Sequence, residues 1–176
     1  MTRRALIAVV VVLRFMLPVC VLKFPFQAGW ANLVLDSVDG DILVPSGLSE
    51  RTYQRVDKSA DYVTYVSMVA AGRRWPIRNE LLALFGFRSI GQLLYFTTGD
   101  RRMLFWFPNF LEPLFLAYAT IRSIKGTDAP RFFARHARLI WVLVIAYKLQ
   151  DEWITHIRKL DRTDLAGRLV VRRPGT

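Results

Sequence analysis

Long apolar runs, broken at short intervals by turn residues and basic pairs, constrain this chain more than any other feature. Six apolar segments stand at about residues 5–22, 25–41, 57–72, 80–98, 103–121 and 138–155. Most approach the roughly 20 residues that a helix needs to cross a bilayer. Between them lie Lys23-Phe24-Pro25, Pro45-Ser46-Gly47, Arg73-Arg74-Trp75-Pro76, Gly99-Asp100 and Lys125-Gly126-Thr127-Asp128. Glycine and proline punctuate a helical pattern in this way because one admits positive φ and the other fixes φ and removes a donor. Ser49 stands as a helix N-cap before Glu50. The pattern predicts an all-α, multi-pass membrane protein with about six transmembrane helices, a helical domain over residues 1–156 and a basic cytoplasmic tail over 157–176.

Composition points the same way. The chain has 176 residues, room for one domain, with 53% hydrophobic residues and a formal net charge of +11. Its basic residues lie mainly between apolar runs rather than along one helix face, which favours a membrane with anionic headgroups over nucleic acid as partner. Placing the N-terminus inside puts thirteen Lys and Arg on the cytoplasmic side and nine on the other, although residues 130–138 form a basic stretch on the wrong side, expected as an amphipathic surface helix. The expected location is the cell membrane, with the carboxylate site described next facing the cytoplasm. Cys20 is the only cysteine, so no intrachain disulfide and no thiolate metal site can form.

Four aspartates interrupt this apolar background in two pairs. Asp36 and Asp39 are three apart and are followed by Gly40; Asp57 and Asp61 are four apart. Each spacing puts both acids on one helix face. The Pro-Ser-Gly turn between the pairs lets the chain reverse and bring the two faces together. Four carboxylates in one partly dehydrated place repel one another and call for cations, and oxygen-only ligands suit Mg²⁺ or Mn²⁺. Such a centre suits a phosphate-bearing substrate, whose charge the ion offsets. Asp36, Asp39, Asp57 and Asp61 are therefore the candidate metal ligands.

These residues resemble the signature of the CDP-alcohol phosphotransferases, D-x-x-D-G-x-x-A-R followed by G-x-x-x-D-x-x-x-D. All four aspartates and Gly40 fall in that register, and Leu13-Arg14-Phe15-Met16-Leu17-Pro18 is similar to the family's first helix. The likeness covers about residues 13–61. It implies metal-dependent transfer of a phosphatidyl or substituted phosphoryl group from a CDP-linked donor to an alcohol, with release of CMP, as in phospholipid biosynthesis. It further implies Asp61 as catalytic base, Gly40 and the position of Tyr53 beside the nucleotide, Arg14 as a phosphate contact, and a homodimer. Arg101 and Arg102 are further candidate phosphate contacts near the same surface. The family's Ala-Arg pair is Leu43-Val44 here and its second glycine is Tyr53, which lies one turn before Asp57 where it obstructs a nucleotide pocket of the usual shape.

Two other functions compete with the enzyme. A degenerate homologue would keep the fold and serve as a membrane scaffold or lipid-binding protein, favoured by Leu43, Val44 and Tyr53. A small cation transporter would need polar residues continuing beyond the acids. Elsewhere, Arg88 is expected to pair with an acid such as Glu112, and the proline-flanked Pro108–Pro113 stretch to kink one helix.

Overall fold

The computed structural model describes residues 2–100 and 102–152. These form seven α-helices: α1 (Arg3–Cys20), α2 (Pro25–Leu43), α3 (Glu50–Gly72), α4 (Arg78–Thr98), α5 (Arg102–Trp106), α6 (Leu111–Lys125) and α7 (Ala129–Glu152), with one 3-10 turn at Gly126–Asp128. The all-α expectation holds. Residues 157–176, including the expected tail, lie outside the described residues.

Local chemistry sets most boundaries as expected. Pro25 opens α2, and Ser49 caps α3 by accepting from the Thr52 backbone N–H at 3.3 Å. Gly99 ends α4 in the left-handed region, at φ 69°, which a residue with a Cβ enters only at a cost. Two segments depart from expectation. The run at 103–121 splits into α5 and α6 at residues 107–110, where Pro108 interrupts the helix and the chain turns back along α4, while Pro113 is accommodated in the first turn of α6. There Arg88 Nη1 donates to the carbonyls of Leu104 at 3.2 Å and Phe107 at 2.7 Å, satisfying backbone that no helix closes. Gly91 makes room for this return, since any Cβ on it would collide with the Phe107 side chain. Conversely, the surface helix expected at 130–138 and the apolar segment after it are one continuous helix, α7.

The core gathers on α6, which packs against α2, α3, α4 and α7. Its buried residues Leu111, Leu114, Phe115, Tyr118 and Ala119 follow the i, i+3, i+4, i+7, i+8 stripe of an inward helix face. Trp75, in the α3–α4 connection, lies over Phe115 and Tyr118 with ring centroids 4.9 and 5.1 Å apart. Trp30 Nε1 donates to Thr120 Oγ1 at 3.0 Å. These contacts set the C-terminal half of α6 beside the start of α2 and the end of α3.

The expectation of an integral, multi-pass protein in the cell membrane does not hold: none of the described helices is long and apolar enough to cross a membrane. The six transmembrane helices, and the cytoplasmic orientation built on them, fall with it. Apolar residues do cover outward faces, among them Val12 and Met16 on α1, Leu93 on α4 and Val142 on α7, which is why the runs look continuous in sequence. Charges nevertheless cut each run. Arg14 interrupts α1, three aspartates lie in the last turns of α2, and six charged residues fall in the first half of α3. The 15-residue α6 spans only about 22 Å at 1.5 Å per residue, short of a ~30 Å hydrocarbon core.

Candidate functional site

The two aspartate pairs meet, and they meet around an arginine. α1 lies against both α2 and α3, and its Arg14 side chain is fully buried between them. Nη2 of Arg14 stands 2.6 Å from Asp36 Oδ1, 2.9 Å from Asp57 Oδ1 and 3.3 Å from Asp61 Oδ1, while Nε stands 2.6 Å from Asp39 Oδ2. One guanidinium thus touches all four carboxylates. Its Nη1 is buried without a hydrogen-bond partner among the described residues. Arg14 does not reach out to an interface; it acts as the internal counter-ion of the centre.

A second cation completes it. Lys58 Nζ lies 2.7 Å from Asp57 Oδ2 and 2.9 Å from Asp61 Oδ2. The lysine follows Asp57 and precedes Asp61 by three positions, so the helix that pairs the two acids also carries their cation beside them. In the sequence Lys58 is one of the thirteen cations assigned to the cytoplasmic side; its place inside an acidic helical pair was the available signal. Gln92 of α4 donates to the Lys58 carbonyl at 2.6 Å, fixing α4 against this part of α3.

Gly40 and Tyr53 also come together. Tyr53 donates its hydroxyl proton to Asp39 Oδ1 at 2.9 Å, and a Cβ built on Gly40 would stand 2.8 Å from that hydroxyl. The phenol therefore occupies the space that Gly40 leaves open. Arg102 is exposed at the start of α5 and forms no ion pair with the aspartates; its backbone N–H bonds to Asp100 Oδ1 at 2.9 Å. Arg101 lies outside the described residues.

Electrostatics sort the acids. Burial, then the charge of Asp61, push the Asp36 carboxyl up to about 8 against the pull of Arg14. Burial also raises Asp39, although Arg14 and the Tyr53 hydroxyl oppose it. For Asp61 burial acts upward too, but Lys58 and Arg14 together outweigh it and hold the group below the ordinary carboxylate value. Lys58 is raised well above the usual lysine value: burial lowers it, and Asp61 and Asp57 more than offset that.

These residues fit a divalent cation. Asp36, Asp39 and Asp57 each offer a carboxylate oxygen within 4.8 Å of the others, the hard oxygen donors that Mg²⁺ or Mn²⁺ takes. Asp61 falls outside that group, drawn to Lys58. Without an ion Asp36 keeps its proton at neutral pH; once a bound divalent ion drew that proton off, four carboxylates less Arg14 and Lys58 would leave two negative charges for it to balance. No family model, curated protein or solved structure matches this chain.

Proposed function

We propose that the chain is a divalent-metal-dependent phosphotransferase of the CDP-alcohol type, moving a phosphoryl-linked group from a CDP-linked donor to an alcohol. The observation that carries this is the convergence of Asp36, Asp39, Asp57 and Asp61, from two helices, within 3.3 Å of one buried guanidinium. Asp36, Asp39 and Asp57 would hold the ion, which when bound offsets the donor's phosphate charge and favours departure of CMP. In the reaction the alcohol oxygen attacks the phosphorus that carries the transferred group. The bond from that phosphorus to the bridging oxygen breaks, and CMP leaves with the electron pair.

The side chains have separate tasks. Asp61, held ionised by Lys58 and Arg14, receives the alcohol proton; its low basicity means that positioning, more than proton affinity, makes it useful. Arg14 keeps the four acids at close quarters, and its unpartnered Nη1 is a donor suited to a phosphate oxygen. Tyr53 narrows the region beside Gly40 and calls for a donor seated differently from one that lies over two glycines.

A second reading has its own observation. With Tyr53 bonded to Asp39 and two cations already among the acids, the centre also suits a protein that keeps the fold as a scaffold and has lost the reaction. The test is CMP release from CDP-linked donors with small alcohols and lipid alcohols, in Mg²⁺ or Mn²⁺. The expected result is metal-dependent CMP formation that falls at least about 100-fold in Asp57→Asn and Asp61→Asn. Tight metal binding with no CMP from any donor would overturn the enzyme in favour of the scaffold.

A further inference from the structure

A second charged feature lies on different helices. The turn from α6 through Gly126–Asp128 into α7 encloses an open groove of about 420 Å³ lined by Lys125, Asp128, Arg131, Phe132, Arg135 and His136. That volume falls within the range of ordinary ligand sites, roughly 300–1,000 Å³. The groove is remote from the aspartates. Trp30 through Thr120 and Trp75 through Arg122 tie the C-terminal half of α6 to the start of α2 and the end of α3, whereas the acids occupy the opposite halves of those helices. From Asp61 to the end of α3 at Gly72 is about 16 Å along the axis.

Its cations form no ion pair among the described residues, although Lys125 also serves the last turn of α6. Lys125, Arg131 and Arg135 are exposed, and none lies within ion-pair distance of a carboxylate among the described residues. Arg131 and Arg135 are four apart on one helix, a like-charge spacing that costs a few tenths of a kcal/mol. Arg131 stands near the start of α7, where the helix dipole disfavours a cation. Phe132 and His136 form one wall, with ring centroids 4.3 Å apart, and Lys125 Nζ sits 5.2 Å from the Phe132 centroid. His136 Nδ1 is 2.9 Å from the Phe132 carbonyl, which fixes the ring and leaves Nε2 for another partner.

We propose that this groove binds a small phosphate-bearing anion, gripped by Lys125, Arg131 and Arg135 beside the Phe132–His136 wall. Three cations and Asp128 leave two positive charges around the groove, complementary to a phosphomonoester, which carries about −1.5 to −2 at neutral pH. The forked donors of two arginines suit phosphate oxygens better than a point charge does. Lys23, Arg73 and Arg74 in the α1–α2 and α3–α4 connections, Arg78 at the start of α4 and Arg122 in the last turn of α6 stand at the helix ends that the alternating chain brings to this side, so the surrounding field draws anions toward it. The same chemistry is offered by free phosphate compounds and by lipid headgroups.

The experiment uses the full chain and two probes: inorganic pyrophosphate by calorimetry, and phosphatidic acid in phosphatidylcholine vesicles by flotation, both at fixed ionic strength. Saturable binding is expected, weakened at least about tenfold by Arg131→Ala/Arg135→Ala, as loss of charge-assisted hydrogen bonds implies. Arg73→Ala/Arg74→Ala removes the same charge from the same side and is expected to weaken binding less than about threefold. Groove-dependent binding of pyrophosphate identifies a free ligand, and groove-dependent binding of vesicles alone identifies a headgroup. Equal losses in the two double variants, or no saturable binding of either probe, would overturn the proposal. Circular dichroism of each variant separates a folding failure from a binding one.

Discussion

The aspartate centre and the groove at the α6–α7 turn are both built from charged side chains, yet they treat charge in opposite ways. At the centre every acid touches a cation: Arg14 is fully buried and meets four carboxylates, and Lys58 bridges two of them. At the groove three cations stand exposed, with no carboxylate within ion-pair distance among the described residues. Buried ions bind the helices to one another, since removing one leaves its partners stranded in a poorly solvated place. Exposed ions are worth little to the fold and stay available to something else. Environment, more than residue type, decides whether an arginine serves the fold or a ligand.

The largest expected effect breaks the first half of that contrast. Arg14→Met removes the shared counter-ion and should cost about 3–5 kcal/mol in urea unfolding at neutral pH without metal. Added Mn²⁺ should restore part of the loss. A loss below about 1 kcal/mol would mean that the carboxylates do not depend on Arg14.

A smaller effect comes from pH. Because Asp36 titrates near 8 in the folded protein and Asp39 is also raised, the folded state keeps protons that the unfolded chain releases near 4. Metal-free stability should therefore fall as pH rises from about 4 to about 8, by up to about 1.4 kcal/mol per unit for each proton kept. Asp61, held low, contributes the opposite slope only below about 4. Unfolding at pH 5 and pH 8 in a chelator checks the sign; greater stability at pH 8 would mean that Asp36 and Asp39 are not raised in the folded protein. The smallest effect belongs to the groove. Arg131→Ala should change stability by no more than about 0.5 kcal/mol, and a larger loss would show that the groove cations support the fold after all.

Much of the centre was legible beforehand because helical spacing is rigid. Three and four residues place Asp36 with Asp39 and Asp57 with Asp61 whatever surrounds them, and Ser49 marks where α3 begins. The position of Arg14 was visible but its partners were not, since those depend on how α1 leans against α2 and α3. Lys58 was misjudged for a related reason: a charge beside an acidic pair can face solvent or turn inward, and only packing chooses. The membrane expectation failed because counting apolar residues does not weigh where charges cut a helix or where the stretch at Pro108 breaks one. Folding the run at 103–121 back on itself needs Gly91 on a different helix, a match that no local pattern reveals.

The shared space between Gly40 and Tyr53 has a consequence for how this centre can change over time. A methyl group at position 40 would stand 2.8 Å from the Tyr53 hydroxyl and 3.2 Å from the ring carbon that bears it. Position 40 can therefore gain a side chain comfortably only after position 53 has given up its phenol. Trimming position 53 first opens room without a collision, at the cost of the hydrogen bond to Asp39. The order of the two steps matters: a side chain gained first at position 40 makes the phenol swing aside and strains its bond to Asp39. Tyr53 thus favours a glycine at position 40 whether or not a nucleotide ever lies against it.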